Sequence, residues 1–243
     1  MDHADFVDQV GIQARALRAA AVEAGPAAPV GTCPGWTVLD LVRHVAGVNT
    51  WALTALNTAP DAERPAFTSP PKDWDALLPW WDERVAELVD QLRVADPDAP
   101  AWTFVGPKTA AFWSRRQAHE LAIHRLDAEH ARLGPAVPTL LFTSEFAADG
   151  IDEFVTRMVV RAAERKPVTL AARVLYHAAD AGRTWELRLV PGEVPASGPI
   201  TDSGTDDDLV VAGPADAVYR AVWGRPSGAA VSNAALLAAL PPL

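Results

Sequence analysis

The chain has 243 residues, 49% of them hydrophobic, and a formal net charge of −10. That length accommodates one large or two small domains with a proper core, and an acidic balance spread along the chain argues against nucleic acid or an anionic membrane as partner. No apolar run reaches the ~18 residues of a membrane span, the N-terminus MDHADFVDQV lacks the basic and apolar regions of a signal peptide, and the single cysteine, Cys33, excludes an internal disulfide, so a cytoplasmic protein is expected.

Residues 4–24 carry Phe6, Val10, Leu17 and Ala21 at helical spacing, and Gly25-Pro26 stops the pattern. A Gly/Pro-rich loop leads to Thr37, an N-cap with Asp40 as its capping-box partner, and a second helix is expected over 38–57. Residues 58–72 hold four prolines and read as a loop. A third helix follows over 74–94, with Pro79 bending it or marking its first turn. After a loop over 95–108 comes a fourth helix over 109–133, closed by Gly134-Pro135. Four helices with long crossovers make a bundle, the kind of fold that builds sites from side chains on facing helices.

Beyond Pro138 the pattern changes. One more helix is expected over 140–165, with Phe146, Ile151, Phe154, Val155 and Met158 as its apolar face. VTLAARVLYHA and TWELRLVP alternate apolar and polar residues around DAGR, a hairpin-like turn. GPITDSGTDDD reads as a short strand at best, then a solvated turn. DDLVVAGPADAVYRAVWG reads as strand, turn and helix, and VSNAALLAAL as a closing helix. The fold class expected is two-domain: an all-α four-helix bundle over 1–138, and an α+β domain with a small antiparallel sheet over 139–243.

The chemistry concentrates in Trp113 to Asp127, WSRRQAHELAIHRLD. Glu120 and His124 leave one helical face a turn apart, and such a carboxylate–imidazole pair can bind one divalent ion. Alone, the pair is common on solvated helices. His44 adds a third candidate from the second helix, inside the stripe Leu41, Val45, Val48. Taken alone it reads as a core histidine bonded to Asp40 or to a carbonyl. Taken with Glu120 and His124 it completes a His/Glu/His set whose open fourth position marks catalytic zinc, with Asp40 placed to orient it. Two neutral imidazoles and one carboxylate leave such a centre at about +1, suited to a thiolate or hydroxide. Asp127, three residues after His124, is a candidate buttress for it. Cys33, with no histidine local in sequence, reads as structural. His3, His119, His130 and His177 are taken as non-ligands, and Trp74, Trp80, Trp81 and Trp102 as core or cleft walls rather than a nucleic-acid stacking platform.

The runs CPGWTVLDLVRHVAG, WSRRQAHELAIHRLD and DLVVAGPADAVYRAVWGR resemble the mycothiol-dependent maleylpyruvate isomerase family over essentially the whole chain. The resemblance implies a DinB-like N-terminal metal-binding bundle and a sterol-carrier-like α+β C-terminal domain. It implies zinc on His44, Glu120 and His124, and mycothiol as cosubstrate. The activity implied is that of a zinc-dependent thiol transferase or cis-trans isomerase acting on a small electrophile. Arg225, in WGR, aligns with a family arginine of the active-site cleft, and its fork matches a substrate carboxylate. Arg115 and Arg116 are further candidates, of which at least one faces away because adjacent helix positions diverge; Arg116 is the one taken for binding the cosubstrate. Near Asn233 family members often carry Asp, a departure that leaves the metal set untouched. Two alternatives stand beside this reading: a metal-dependent hydrolase with water in the open position, and a non-catalytic metal-binding or regulatory protein on the same fold.

Overall fold

A computed structural model describes residues 1–198 and 207–240. These fall into two compact units that divide between Val137 and Pro138.

The first unit is built from four helices, α1 (His3–Ala24), α2 (Val38–Leu56), α3 (Trp74–Val94) and α4 (Ala110–Leu133). Their ends lie where the local chemistry places them. Thr37 caps α2: its side chain accepts from the Asp40 backbone N–H while the Asp40 carboxylate accepts from that of Thr37. Asp2 and Asp5 repeat the same box at α1. Gly134, at φ 58°, takes the left-handed turn after α4 that a side chain would resist. Pro79 sits inside α3, in its second turn, where the helix continues past it. The core is the set Leu17, Leu41, Leu77, Leu88, Leu92, Trp113, Leu121 and Leu126, all fully buried. α1 packs most closely on α4. One polar chain crosses this interior: Trp81 donates to Asn49 at 2.8 Å, and Asn49 donates to Gln117 at 2.7 Å. All three residues are essentially inaccessible; the bonds satisfy the Trp81 N–H, the Asn49 oxygen and the Gln117 oxygen, while the Gln117 amide nitrogen has no partner among the described residues.

The second unit begins with α5 (Ser144–Glu153), a π-helical turn over Phe154–Met158, and α6 (Val159–Arg165). The single helix expected over 140–165 is therefore shorter at its start, where Thr143 caps it, and widened in its middle. A five-stranded sheet follows in the order β3-β2-β1-β4-β5, with β1 Ala172–Ala178, β2 Arg183–Leu189, β3 Ala196–Gly198, β4 Leu209–Gly213 and β5 Ala230–Val231. The expectation of an antiparallel sheet is corrected here: β1–β2, β2–β3 and β4–β5 are antiparallel, but β1 and β4 run parallel, with Tyr176 opposite Val211. Alternating polarity marks a strand and its buried face, not which neighbour takes each of its edges. Most of GPITDSGTDDD lies outside the described residues.

Helices α7 (Ala215–Val222) and α8 (Ala234–Ala239) complete the unit. Buried Asp216 on α7 accepts from the backbone N–H groups of Leu141 and Phe142, both at 2.8 Å, and Arg220 donates to the Pro138 carbonyl at 2.8 Å. These bonds tie the start of the unit to α7. No described helix is long and apolar enough to cross a membrane.

Candidate metal centre

The capping box that starts α2 places His44 two turns into the helix. On α4, Glu120 and His124 share a face because they stand one turn apart. Where the two helices meet, His44 Nε2 lies 3.1 Å from Glu120 Oε1, and His124 Nε2 lies 3.4 Å from the same oxygen. The three donor atoms lie within 4.8 Å of one another. A tetrahedral ion with bonds of about 2.1 Å holds its ligand atoms roughly 3.4 Å apart, so these separations fit a zinc-sized cation. The donor set of two imidazoles and one carboxylate suits such an ion equally well.

The surrounding groups fix which atoms face the centre. His124 Nδ1 is 2.9 Å from Oδ2 of Asp127, which is fully buried. This carboxylate holds the Nδ1 proton and turns Nε2 toward Glu120. Arg116, 3% exposed, donates from Nη2 to Glu120 Oε2 at 2.8 Å, which leaves Oε1 as the inward oxygen. Burial pushes the Glu120 carboxyl up. Hydrogen bonds from His124 and His44, with the charges of His124 and Arg116, outweigh it and hold the group well below the usual carboxylate range. Burial likewise pushes His124 down, but its bonds to Asp127, Cys33 and Glu120 raise it well above an ordinary imidazole. Both shifts favour the charged forms of Glu120 and His124 side by side.

His44 is the most open of the three, with 36% of its side chain exposed. A surface pocket of about 410 Å³ opens beside it, lined by Trp36, Arg43, Phe67 and Asp40 among others. The Trp36 ring packs at 5.0 Å from the His44 ring and stacks at 6.4 Å on that of His124. The centre is therefore buried on its Asp127 side and accessible on its His44 side.

Two residues around this centre have partners that the local sequence does not show. Asp40 does not hold His44; its carboxylate is engaged by the Thr37 backbone N–H and hydroxyl, at 3.0 and 2.7 Å. Cys33 is not remote from the chemistry, because its Sγ donates to Asp127 Oδ2 at 3.4 Å. The 94 residues between Cys33 and Asp127 leave no local pattern to read. Trp36 also passed unnoticed, although its place next to the Thr37 cap hinted at a position over the start of α2. Of the remaining histidines, His177 is exposed on β1 and three have partners elsewhere. His3 bonds Leu92 O and Ser114, His130 bonds Gly134 O, and His119 packs edge-on against Phe6. Arg225 belongs to the second unit, where its Nη1 donates to the Trp223 carbonyl at 2.6 Å and its backbone N–H to Arg220 O at 2.9 Å.

Profiles of known families match both units. Residues 7–129 match the mycothiol maleylpyruvate isomerase N-terminal domain, and residues 145–241 match the MDMPI C-terminal domain. The chain belongs to the mycothiol-dependent maleylpyruvate isomerase family. Among solved structures, a crystal structure of the mycothiol-dependent maleylpyruvate isomerase shares its fold at a TM-score of 0.65 and 16% identity, covering 96% of this chain and 94% of that one. A histidine-to-alanine mutant of the same enzyme superposes with a TM-score of 0.66 at 15% identity and the same coverage. A comparison with curated proteins finds no significant match.

Proposed function

We propose that this member of the family is a zinc-dependent, mycothiol-using thiol transferase or cis-trans isomerase acting on a small electrophile. The observation that carries the reading is the convergence of His44, Glu120 and His124 at ligand-like separations, in a chain that matches the mycothiol maleylpyruvate isomerase N-terminal domain. A divalent ion on these three side chains supplies a Lewis acid that lowers the pKa of a coordinating thiol, and the thiolate is the nucleophilic form.

The chain's own residues set the rest. Asp127 holds the proton on His124 Nδ1, so that Nε2 is the donor atom. Arg116 occupies Glu120 Oε2; being buried, it acts on the centre through Glu120 rather than by touching the cosubstrate. The pocket beside Trp36 and His44 offers the thiol and its electrophile an approach from the open side. Arg225 is the residue assigned to a substrate carboxylate, since its planar fork matches that group. In the isomerase form, the thiol sulfur adds to an activated double bond, the resulting single bond rotates, and loss of the thiol restores the double bond. In the transferase form the thiol stays on the product.

The test combines elemental analysis with turnover. Protein purified without a histidine tag is expected to carry about one zinc per chain, lost in His44→Ala and Glu120→Ala. Maleylpyruvate, as the first electrophile offered, is expected to turn over only with mycothiol present. Full metal content in both variants would overturn the ligand assignment. Turnover at saturating metal that is indifferent to thiol would replace this reading with hydrolysis by bound water.

A further inference from the structure

The His124 ring meets two different sets of donors. Its Nε2 turns toward Glu120 and His44. Its Nδ1 meets Asp127 Oδ2 at 2.9 Å, and the Cys33 Sγ stands 3.4 Å from that same oxygen. Cys33, His124 and Asp127 thus bring a thiol, an imidazole and a carboxylate within 4.8 Å of one another. Only the imidazole is shared with His44 and Glu120, and it turns its other nitrogen to this set.

Two firmly held elements supply these donors. His124 and Asp127 stand one turn apart on α4, so both side chains leave the same face. Cys33 sits where two tight turns meet: its backbone N–H donates to the Val30 carbonyl at 2.9 Å, and its carbonyl accepts from the Trp36 N–H at 3.0 Å. A bridge between Pro29 and Thr37 closes the same loop. The thiol is therefore presented to α4 by a braced loop. Asp127 is fully buried behind the set, while Cys33 is only half-buried, which leaves an open edge on the thiol side. A zinc-sized ion with bonds of about 2.3 Å to sulfur and about 2.1 Å to oxygen holds those two atoms roughly 3.6 Å apart. The separation of Sγ from Oδ2 is close to that already.

We propose that Cys33, His124 Nδ1 and Asp127 form a second cation site, selective for a soft d10 ion such as cadmium, which competes with the His44, Glu120 and His124 set for the shared ring. The thiol sets the selectivity, because sulfur donors favour soft cations and the other set offers only nitrogen and oxygen. A neutral imidazole has one nitrogen that carries a proton and one that can bind a metal, so the ring serves one ion at a time. Zinc on Nε2 needs the proton on Nδ1, the tautomer that Asp127 favours. A soft ion on Nδ1 takes the opposite tautomer. Its binding forms a metal–sulfur bond, releases the Cys33 proton to solvent and moves the ring proton from Nδ1 to Nε2, with no electron transferred. One ring thereby makes the two occupancies mutually exclusive, and a soft ion turns the zinc centre off. The competition rests on the zinc reading given above, whereas the site itself does not.

The experiment titrates zinc-loaded, full-length protein with cadmium chloride. It reads the ultraviolet charge-transfer band of a cadmium–thiolate bond, and the zinc released to a chromophoric indicator. Cadmium also suits the first set, so the thiolate band and not the zinc release identifies the second. A band that saturates at about one cadmium per chain is expected, with zinc released alongside. Cys33→Ser should abolish the band. Asp127→Asn keeps the size of the side chain and should weaken the affinity read from the band roughly tenfold or more, as loss of an anionic partner does. His44→Ala removes a ligand of the first set alone, so its band should form at the same cadmium concentration or lower. Melting temperatures check that each variant is folded. No saturable band would overturn the proposal, and so would a band of unchanged affinity in Asp127→Asn, the mark of a lone thiol, or a band lost in folded His44→Ala. Zinc retained while the band saturates would refute the competition. Protein that carries no zinc yet develops the band would sink the zinc reading and leave this site standing.

Discussion

Replacing Asp127 by alanine tests the architecture of the centre without touching a ligand atom. Asp127 is fully buried, and its Oδ2 is shared by His124 Nδ1 at 2.9 Å and Cys33 Sγ at 3.4 Å. Removal leaves the His124 N–H facing a small void, with 11% of the side chain exposed to solvent. Leaving a buried donor unsatisfied costs about 1–3 kcal/mol. Part of that cost is relieved when the ring turns to find another acceptor, and turning moves Nε2 away from Glu120 Oε1. Loss of a carboxylate behind a metal-bound histidine weakens metal affinity roughly 10–100-fold, in line with that energy. The assay is competition for zinc against a chromophoric chelator, starting from metal-stripped protein. Asp127→Asn keeps an acceptor oxygen of similar reach and should recover part of the loss. Unchanged zinc affinity in Asp127→Ala would show that His124 is not the ligand held by this carboxylate, and the geometric argument for the centre would fail with it.

Other perturbations test the scaffold. Asp40→Ala removes the capping box of α2 and should cost about 1 kcal/mol at neutral pH by urea denaturation. The Asp40 carboxyl is held below its ordinary value of 3.8, first by the Thr37 backbone N–H and then by its hydroxyl. Its contribution is therefore full above that value and lost as pH falls through the lower folded value, so the gap between variant and wild type should narrow below pH ~4. A pH-independent gap would show that the carboxylate charge contributes nothing there. Gly150→Ala gains helix propensity in α5, yet its Cβ would stand closer than van der Waals contact to the ring of fully buried Tyr219; overpacking should win by about 1–3 kcal/mol, seen as a lower melting temperature. Asn49→Ala strips buried Trp81 and Gln117 of their shared partner and should cost about 2–4 kcal/mol; a loss near zero would mean that water replaces the amide.

What was legible in the sequence was whatever a short window contains. Thr37 with Asp40, and Gly134 after Leu133, carry cap chemistry within a few residues, and the helix ends followed from them. Glu120, His124 and Asp127 lie within eight consecutive positions of one helix, so their common region needed only helical geometry. His44 was identifiable as a histidine within an apolar stripe, but its 3.1 Å approach to Glu120 depends on how α2 meets α4, which no local pattern encodes. Cys33 shows the limit more sharply: no histidine is local to it in sequence, and the partner its thiol finds, Asp127, lies 94 residues on.

The second unit fails the same test in different ways. The residues Phe154, Val155 and Met158 make an acceptable apolar face for an α-helix, so the extra residue of the π turn left no mark on the pattern. Tyr176, alternating with Val174 and Ala178 on the buried face of β1, reads as an ordinary core aromatic, although its hydroxyl has no hydrogen-bond partner among the described residues. Periodicity records which way a side chain points and says nothing of whether its polar tip meets a partner. The ligand triad could be found in the sequence because its chemistry is written in residue types at helical spacing. The unsatisfied Tyr176 hydroxyl could not, because it is defined by what the rest of the fold leaves around it.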